Sequence, residues 1–411
     1  MTLKMETDLE IRRVPGIEKD IDLYIPPDDE ADPELSIVIP ALNEERNIAE
    51  FVSWCKEGLR RANIRGEIII VDSSTDGTAG LALMGGARVL RTPKRGLGRA
   101  YIDAIPYIRG KYIIMGDADC TYDFREIEPF VKEFRAGCEY IMGSRFRGYI
   151  EPQSMPALHR YFGTPGTTWV LNVLYATRFS DIHCGMRGIA RDALLRLNLS
   201  SQSWEYASEL VLKSVQMHLR TAEVPVRFLK DRNGRVSHHK RMGWFSPWQA
   251  AWINLRAMFV FGADFFLLRP GLAILWTGVL LMLAVMFGPI TIGPVTFSFY
   301  WMLMGLTLAV LGLQSFYLGC LAQVLNDLTG DSRRRWTCLF RYTRSVGWSA
   351  AAMLGGFAAA LPLVREYLRF HLALPREVPF QSHLAITGLF FIIAGFMNFG
   401  YTLVLHAATR D

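Results

Sequence analysis

The chain has 411 residues, 51% hydrophobic and 20% charged, with a formal net charge of +6 at pH 7. That length exceeds one ordinary domain, and a chain so apolar and yet so charged must segregate the two kinds of residue along its length. The positive balance suits anionic lipid head groups or phosphorylated substrates; it would suit nucleic acid equally, but no nucleic-acid partner is expected from the rest of the sequence.

Six cysteines, Cys55, Cys120, Cys138, Cys184, Cys320 and Cys338, are scattered without a CxxC pair or finger spacing, so they read as isolated thiols in a reducing compartment. Residues 1–34 are polar and acidic and end in Pro26-Pro27-Asp28-Asp29-Glu30-Ala31-Asp32-Pro33, the composition of an arm or linker. No apolar h-region follows Met1, so no cleaved secretory signal is expected and the first part of the chain is expected in the cytosol.

Three short apolar runs then recur. Ser36-Ile37-Val38-Ile39-Pro40 leads into a helical pattern from Glu44 to about Arg61; Glu67–Asp72 leads into the turn Ser73-Ser74-Thr75-Asp76-Gly77 and a second helix; Tyr112–Gly116 leads into Asp117-Ala118-Asp119. Buried strands alternating with helices predict a parallel, doubly wound α/β sheet, in which ligands sit beyond the carboxyl ends of the strands. Each of those ends is polar: Asn43 and Glu44, Asp72 and Asp76, Asp117 and Asp119. A catalytic domain over residues 35–240 is the expectation.

After Gly243 the character changes. Trp244, Trp248, Trp252, Leu255 and Phe259 fall on one helix face, and residues 241–269 read as amphipathic helices in a membrane interface. Four apolar spans follow in residues 270–411, at about 271–288, 297–325, 347–364 and 384–405. Each approaches or exceeds the roughly 20 residues that cross a bilayer's hydrocarbon core. The third is rich in Gly and Ala, suited to close helix packing and to association between copies, a possible homo-oligomer. Arg333, Arg334, Arg335, Arg341 and Arg344 lie between the second and third spans, whereas the turn between the first two carries no charge. The positive-inside rule then places the Arg-rich stretch, the catalytic region and both termini in the cytosol, of a prokaryotic plasma membrane given the absence of targeting signals. The spans as drawn contain no Asp, Glu, Lys or Arg, which argues against a flippase or channel.

Asp117 and Asp119, two acids one residue apart at a strand end, repel each other unless a cation lies between them. A hard divalent ion, Mg²⁺ or Mn²⁺, shared with substrate phosphates is the usual resolution, and it neutralises charge on a diphosphate leaving group. Asp-X-Asp is common in surface turns; its register with the two earlier polar strand ends marks this pair as functional.

The ordered set Ile39-Pro40-Ala41-Leu42-Asn43-Glu44-Glu45, Val71–Thr78, Gly116–Asp119, Gly143-Ser144-Arg145-Phe146, Asp181 with Cys184-Gly185-Met186-Arg187, and Glu223-Val224-Pro225 followed by Arg232, Gly234 and Ser237 resembles the family 2 glycosyltransferases of GT-A fold, in particular the dolichol- or polyprenyl-phosphate mannose and glucose synthase branch. The resemblance covers about half the chain, from Ser36 to Ser237. It implies a Rossmann-like, mostly parallel GT-A domain followed by interface helices and four transmembrane helices. It also implies that Pro40, Ala41, Asn43, Glu44 and Asp72, with Asp76, hold the nucleotide of a nucleotide-sugar, and that Lys94 and Gly96 belong to a loop beside the donor. Asp117 and Asp119 would bind the diphosphate through the metal, Arg145 and Arg160 the lipid phosphate or the developing diphosphate charge, and Arg232 would end a mobile loop over the site. Three positions depart from the family: Thr121, with Asp123 nearby, stands where a Gln often serves as third metal contact, Cys184-Gly185-Met186-Arg187 stands for Ser-Gly-Phe-Arg, and Ser237-His238, with Lys240 slightly later, replaces Ser-Lys.

The implied reaction is an inverting transfer of a hexose from GDP-mannose or UDP-glucose to a polyprenyl or dolichyl phosphate, beside a lipid bilayer. A processive polysaccharide synthase is the second enzymatic reading; the nearest string to its Gln-X-X-Arg-Trp motif, Arg333–Trp336, lacks the Gln. A non-catalytic nucleotide-sugar-binding membrane protein is the reading from another class, opposed by the intact Asp117/Asp119 pair.

Overall fold

The computed structural model describes residues 11–175, 177–231, 262–327, 330–369 and 380–409. The chain forms two compact units, Met1–Met258 and Phe259–Asp411. The Trp244–Phe259 stripe expected to lie in the membrane interface falls outside the described residues.

In the first unit the strands are β1 (Arg12–Pro15), β2 (Asp22–Ile25), β3 (Leu35–Ala41), β4 (Gly66–Asp72), β5 (Arg88–Arg91), β6 (Tyr112–Met115), β7 (Tyr140–Ile150), β8 (Arg187–Ala190) and β9 (Thr221–Phe228). The helices are α1 (Ile48–Arg61), α2 (Thr78–Met84), α3 (Leu97–Ala104), α4 (Glu128–Arg135), α5 (Thr164–Tyr175), α6 (Arg191–Leu197) and α7 (Glu205–Gln216). One sheet has the order β1-β2-β5-β4-β3-β6-β8-β7-β9. Its core, β5-β4-β3-β6, is parallel, and β8 pairs antiparallel with both β6 and β7.

The core strands are nearly continuous runs of Ile and Val because both of their faces are covered; Ile37, Val38, Ile39, Ile69 and Ile70 have no exposed surface. Helix α1 turns Ile48, Phe51, Val52, Cys55 and Leu59 inward at helical spacing. It packs closely where Gly58 lies: a Cβ there would fall 2.1 Å from the Phe124 carbonyl oxygen. Pro40 is tolerated in a central strand because the β3–β6 pairing ends at Val38↔Met115, before Pro40 would owe a ladder bond on that side.

Two expectations are corrected. Residues 12–25 are not a linker: β1 and β2 form a hairpin whose second strand pairs antiparallel with β5, Asp22↔Arg91 through Tyr24↔Val89. The hairpin covers what would otherwise be an open sheet edge, and Ile21 and Leu23 are buried in doing so. The first helix begins at Ile48 rather than Glu44: residues 44–47 form a turn, with the Asn47 and Ile48 N–H groups both donating to the Glu44 carbonyl at 2.9 Å.

The second unit consists of α8 (Ala263–Val285), the hairpin β10 (Ile290–Ile292) and β11 (Val295–Phe297), α9 (Phe299–Leu325), α10 (Asp331–Leu339), α11 (Tyr342–Arg369) and α12 (Phe380–Ala408). Phe265–Val285, Phe299–Leu325, Tyr342–Arg369 and Phe380–Ala408 are long and apolar enough to cross a membrane, in the places of the four expected spans: the last two run longer at both ends, the first is shifted towards its start, and the second begins two residues later. Helices α8 and α9 meet along glycines seven residues apart: a Cβ on Gly278 would lie 2.3 Å from the Ala309 nitrogen, and one on Gly312 2.2 Å from the Leu275 nitrogen. Such contacts bring backbones together where lipid supplies no hydrophobic drive between helices. On the Gly/Ala-rich α11, a Cβ on Gly356 would lie 2.4 Å from the Gly388 carbonyl oxygen of α12, whereas Gly355 faces open space. Polar groups add to this pairing: Asn398 Nδ2 donates to Ser349 Oγ (2.8 Å) and Ser345 Oγ (3.0 Å), and Tyr317 OH donates to Asn398 Oδ1 (3.0 Å). Gly356→Leu should therefore part α11 from α12 and lower the detergent-solubilised protein's melting temperature by several degrees, while Gly355→Leu leaves it near the wild-type value.

Candidate active site

Strand order creates the site. From β3 the chain steps to β4 and β5, then returns to place β6 on the other side of β3. The carboxyl ends of β3 and β6 therefore diverge at a switch point, the place where doubly wound sheets bind ligands. Ala41–Glu44 leaves one side of that crevice and Asp117–Asp119 the other.

On the β3 side the two polar turns seen in sequence are laced together. Asn43 N–H donates to Ser74 Oγ (2.7 Å), Thr75 N–H to Asn43 Oδ1 (3.0 Å), and Glu44 N–H to Thr78 Oγ1 (2.9 Å). Glu44 is buried and accepts from Asn47 Nδ2 at 3.2 Å. Asp76 accepts from Thr78 N–H (3.1 Å) at the start of α2, a local turn contact. Asp72 is fully buried and forms an ion pair with Arg91, which also donates to the Ser74 carbonyl at 3.1 Å. The loop after β5 joins this group: Thr92 N–H donates to the Asp72 carbonyl (3.0 Å), and Lys94 and Gly96 follow, both exposed, Gly96 at φ 116°. The structure thus brings Pro40, Ala41, Asn43, Glu44, Asp72, Asp76 and the Lys94–Gly96 loop to one end of the sheet.

On the β6 side Asp119 Oδ1 accepts from Thr121 N–H (3.0 Å) and Thr121 Oγ1 (2.6 Å). Thr121 therefore shapes the carboxylate loop. Asp123 is turned instead to Arg125, with both of its oxygens accepting at 2.7 Å.

Against Asp117 lies the turn before β8. Gly185 leaves room there: a Cβ would lie 2.7 Å from Asp117 Oδ2 and 3.0 Å from the Tyr122 ring, so a side chain would displace the carboxylate. Its N–H donates to Tyr122 OH at 2.8 Å. Arg187 shapes the same turn, donating from Nε to the Cys184 carbonyl (2.8 Å) and from Nη2 to the Ile182 carbonyl (3.0 Å). Tyr101 OH donates to the Gly116 carbonyl at 3.0 Å, one residue before Asp117. Burial first pushes both the Tyr101 and Tyr122 phenols well above their ordinary range, aided by the Asp117 charge at Tyr101 and by Cys184, Asp117 and Asp181 at Tyr122, so both remain hydroxyls at neutral pH.

Arg145 is buried and forks onto Asp181, Nε to Oδ2 at 2.7 Å and Nη2 to Oδ1 at 2.8 Å. Burial opposes its charge, but Tyr122 and Asp181 more than offset this and hold its pKa above the ordinary value. Its guanidinium also lies 5.3 Å from the centre of the Phe228 ring. Arg145 is thus committed to anchoring the Asp181–Gly185 turn, not presented as an open phosphate clamp. Arg160 sits on a π-helical turn, His159–Gly163, ahead of α5, with its guanidinium 5.6 Å from the centre of the Tyr161 ring. Arg232 falls outside the described residues.

Sequence reasoning missed Arg91, Tyr101, Tyr122 and His183. Nothing local marks the two tyrosines, whose value lies in reaching across to the carboxylate loop. Arg91 carried a weak signal as the last residue of a short β pattern, Arg88-Val89-Leu90-Arg91.

His183 Nε2 lies 2.8 Å from Thr167 Oγ1, which also lies 2.8 Å from the Gly163 carbonyl and 3.1 Å from the Thr164 carbonyl. Burial chiefly, with Arg145, Arg187 and His159 adding to it against the opposing pull of Asp181, lowers its pKa from 6.5 to about 4.

Asp117 and Asp119 suit a divalent ion by the chemistry of their hard oxygens, and the space beside Asp117 Oδ2 that a side chain at position 185 would fill is part of the fit. Among the described residues no cluster of three or more His, Cys, Asp or Glu is arranged to hold a metal, so any ion here would draw its remaining ligands from a substrate or water.

A family model described as glycosyl transferase family 2 matches residues 36–197. The chain is 34% identical over 335 residues to the low-salt glycan biosynthesis hexosyltransferase Agl6 of Haloferax volcanii, covering 81% of this chain and 78% of that protein. It is 28% identical over 200 residues to glycosyltransferase AglJ of the same organism, covering 48% and 64%. Among solved structures it is similar to mannosyl-3-phosphoglycerate synthase from Rubrobacter xylanophilus, with a TM-score of 0.42, 22% identity, and 55% of this chain and 74% of that one covered. It is also similar to glucosyl-3-phosphoglycerate synthase from Mycobacterium tuberculosis in complex with Mn²⁺, uridine diphosphate and glucosyl-3-phosphoglycerate, with a TM-score of 0.42, 18% identity, and 57% and 81% covered. The sheet and its crevice are those of a GT-A glycosyltransferase. On the extent of its match to Agl6, the chain belongs to glycosyltransferase family 2.

The His183 geometry predicts a pH effect on stability. Unfolded chains take up a proton on this residue as pH falls through 6.5, and the folded protein resists until about pH 4. Its contribution is present above pH 6.5 and declines towards pH 4. Replacing His183 with Gln should flatten the fall in melting temperature across that window relative to wild type, measured by thermal unfolding at stepped pH.

Proposed function

We propose that this enzyme transfers a hexose from a nucleotide-sugar, GDP-mannose or UDP-glucose, to a polyprenyl or dolichyl phosphate, inverting the anomeric configuration. The observation that carries the reading is the seating of Asp117 against side-chain-free Gly185 at the switch-point crevice, in a chain that also holds four membrane-length helices. The hexosyltransferase name of Agl6, with 78% of that protein covered, supports the sugar class.

The β3 side of the crevice, Pro40 to Glu44 with Asp72, would hold the base and ribose, and the Lys94–Gly96 loop the adjoining phosphates. Asp117 and Asp119 would hold Mg²⁺ or Mn²⁺, which supplies positive charge to a departing diphosphate. In the transfer, an oxygen of the lipid phosphate forms the bond to the anomeric carbon as that carbon's bond to the diphosphate breaks, the electron pair leaving with the diphosphate. A phosphate nucleophile is already ionised at neutral pH, so no side chain need remove a proton. What the chain must do is align donor and acceptor and exclude water. Arg160 is assigned to the acceptor phosphate, and Arg145, through Asp181, to fixing the turn that carries Gly185.

A lipid acceptor accounts for the second unit: its helices would cradle the prenyl chain in the bilayer. The catalytic unit and both ends of the chain are assigned to the cytosolic side of a prokaryotic plasma membrane, the side of the Arg-rich α10.

The test is incubation of the purified protein with Mg²⁺ or Mn²⁺, polyprenyl phosphate and a panel of labelled nucleotide-sugars, followed by identification of the glycolipid. Asp119→Asn should cut transfer by about a hundredfold or more, and Gly185→Ala, which pushes a methyl group onto Asp117, should lower kcat in a folded protein. Full activity of Asp119→Asn would reject the metal-site assignment.

A further inference from the structure

The β1–β2 hairpin does more than cover a sheet edge. Its turn carries Glu18 and Asp20, and these acids reach the segment that opens α3. Glu18 is shared between two arginines: Arg95 Nη1 donates to Oε2 at 2.6 Å and Arg99 Nη2 to Oε1 at 2.5 Å. Asp20 pairs with Arg95 Nη2. Arg99 Nε is held in turn by Asp103 at 2.6 Å, within its own helix. The hairpin turn is rigid enough to act as an anchor. Gly16 N–H donates to the Ile21 carbonyl (2.8 Å), and Ile17 N–H donates to Tyr107 OH (2.8 Å) just beyond α3.

The held segment has the active site on both sides. Before it, Pro93 and Thr92 touch Ser73, with Thr92 Oγ1 3.2 Å from Ser73 Oγ, beside Asp72. After it, Tyr101 stacks on Tyr206 of α7 (ring centres 5.1 Å apart) and holds the Gly116 carbonyl before Asp117. The glycines of the stretch Gly96-Leu97-Gly98 let it pack closely on the segment before α7: a Cβ on Gly96 would lie 2.4 Å from the Gln202 carbonyl oxygen and one on Gly98 2.2 Å from that of Ser201. Here Gly96 is at φ 116°, and the Arg99 N–H donates to the Gln202 carbonyl at 3.0 Å.

We propose that Glu18 and Asp20 are positioning residues for catalysis: they form an ionic latch that fixes the Arg95–Arg99 stretch, and through α3 the Tyr101 hydroxyl, so that the donor's phosphates meet a preformed loop. The proposal rests on the glycosyl-transfer reading only in naming the donor as the ligand that profits. Single exposed ion pairs contribute little, and Glu18 and Asp20 are partly exposed, with side chains 43% and 49% accessible. The latch therefore matters for the loop's placement rather than for global stability, and salt must weaken it.

The full-length protein in detergent tests this. Glu18→Gln with Asp20→Asn removes the charges and keeps the shapes. The donor KM should rise by about tenfold with kcat within about twofold of wild type. The conservative pair Glu18→Asp with Asp20→Glu should restore most of the loss. Wild-type donor KM should climb as salt is raised from about 0.05 M to about 0.5 M, and that of the neutral double variant should stay flat. Amide hydrogen exchange, which needs no substrate, should show faster exchange over residues 94–104 in the neutral variant, with the buried strand β4 unchanged. Unchanged exchange over 94–104, or a wild-type KM indifferent to salt, overturns the latch. Absence of turnover with every nucleotide-sugar overturns the glycosyl-transfer reading instead, and the exchange measurement then still decides the latch.

Discussion

The structure turns on a close approach between a glycine and a carboxylate. The turn from Asp181 to Arg187 lies against the Asp117 carboxylate, and a Cβ on Gly185 would fall 2.7 Å from Asp117 Oδ2 and push it aside. Four buried groups enforce that contact: Arg145 through Asp181, Glu223 through the Ser180 and Asp181 amides, Arg187 through two carbonyls, and Tyr122 through the Gly185 amide. Much of the polar machinery in the core thus supports the position of one carboxylate. Charged groups buried this deeply are tolerated because each is paired and hydrogen-bonded.

This arrangement changes how the arginines are understood. An arginine in a Gly-Ser-Arg motif near an anionic substrate invites assignment as a phosphate clamp. Arg145 instead directs its fork inward to a carboxylate with no exposed surface. Arg91 and Arg187 are likewise engaged, Arg91 with Asp72 and the Ser74 carbonyl, Arg187 with the Cys184 and Ile182 carbonyls. The cations that border the exposed part of the site are those of the loop after β5, and two of these, Arg95 and Arg99, are engaged by the N-terminal hairpin. Placement of loops and carboxylates is the consistent theme of these contacts.

The two units face different packing problems and solve them differently. In the first, continuous Ile and Val runs bury the sheet between helices, and the hydrophobic effect supplies the drive. In the second, lipid removes that drive between helices, so backbone contact at glycines and a small Ser-Asn-Thr-Tyr network tie the helices together. Arg269 of α8 and Arg344, Arg365, Glu366 and Arg369 of α11 lie outside the spans first drawn, in the parts of these helices that extend past the apolar runs.

Local pattern alone made several features legible. Apolar runs ending in acids identified β3, β4 and β6, and four uninterrupted apolar stretches identified the membrane helices, because both signals are contiguous in the chain. The polar strand ends also marked the carboxylates, since an acid directly after a buried strand has few structural reasons to be there. Sequence could not reveal the hairpin at residues 12–25, whose four-residue polar strands acquire meaning only against β5, nor the antiparallel insertion of β8 beside β6. It could not show that Arg145 would spend its fork on Asp181, that Tyr101 and Tyr122 would reach the carboxylate loop, or that Glu18 would meet Arg95 from 77 residues away. These are contacts between segments distant in the chain. Residue type and spacing carry hydrophobic period and turn chemistry, but which side chains face each other across a crevice is set by strand order, and strand order exists only in the folded sheet.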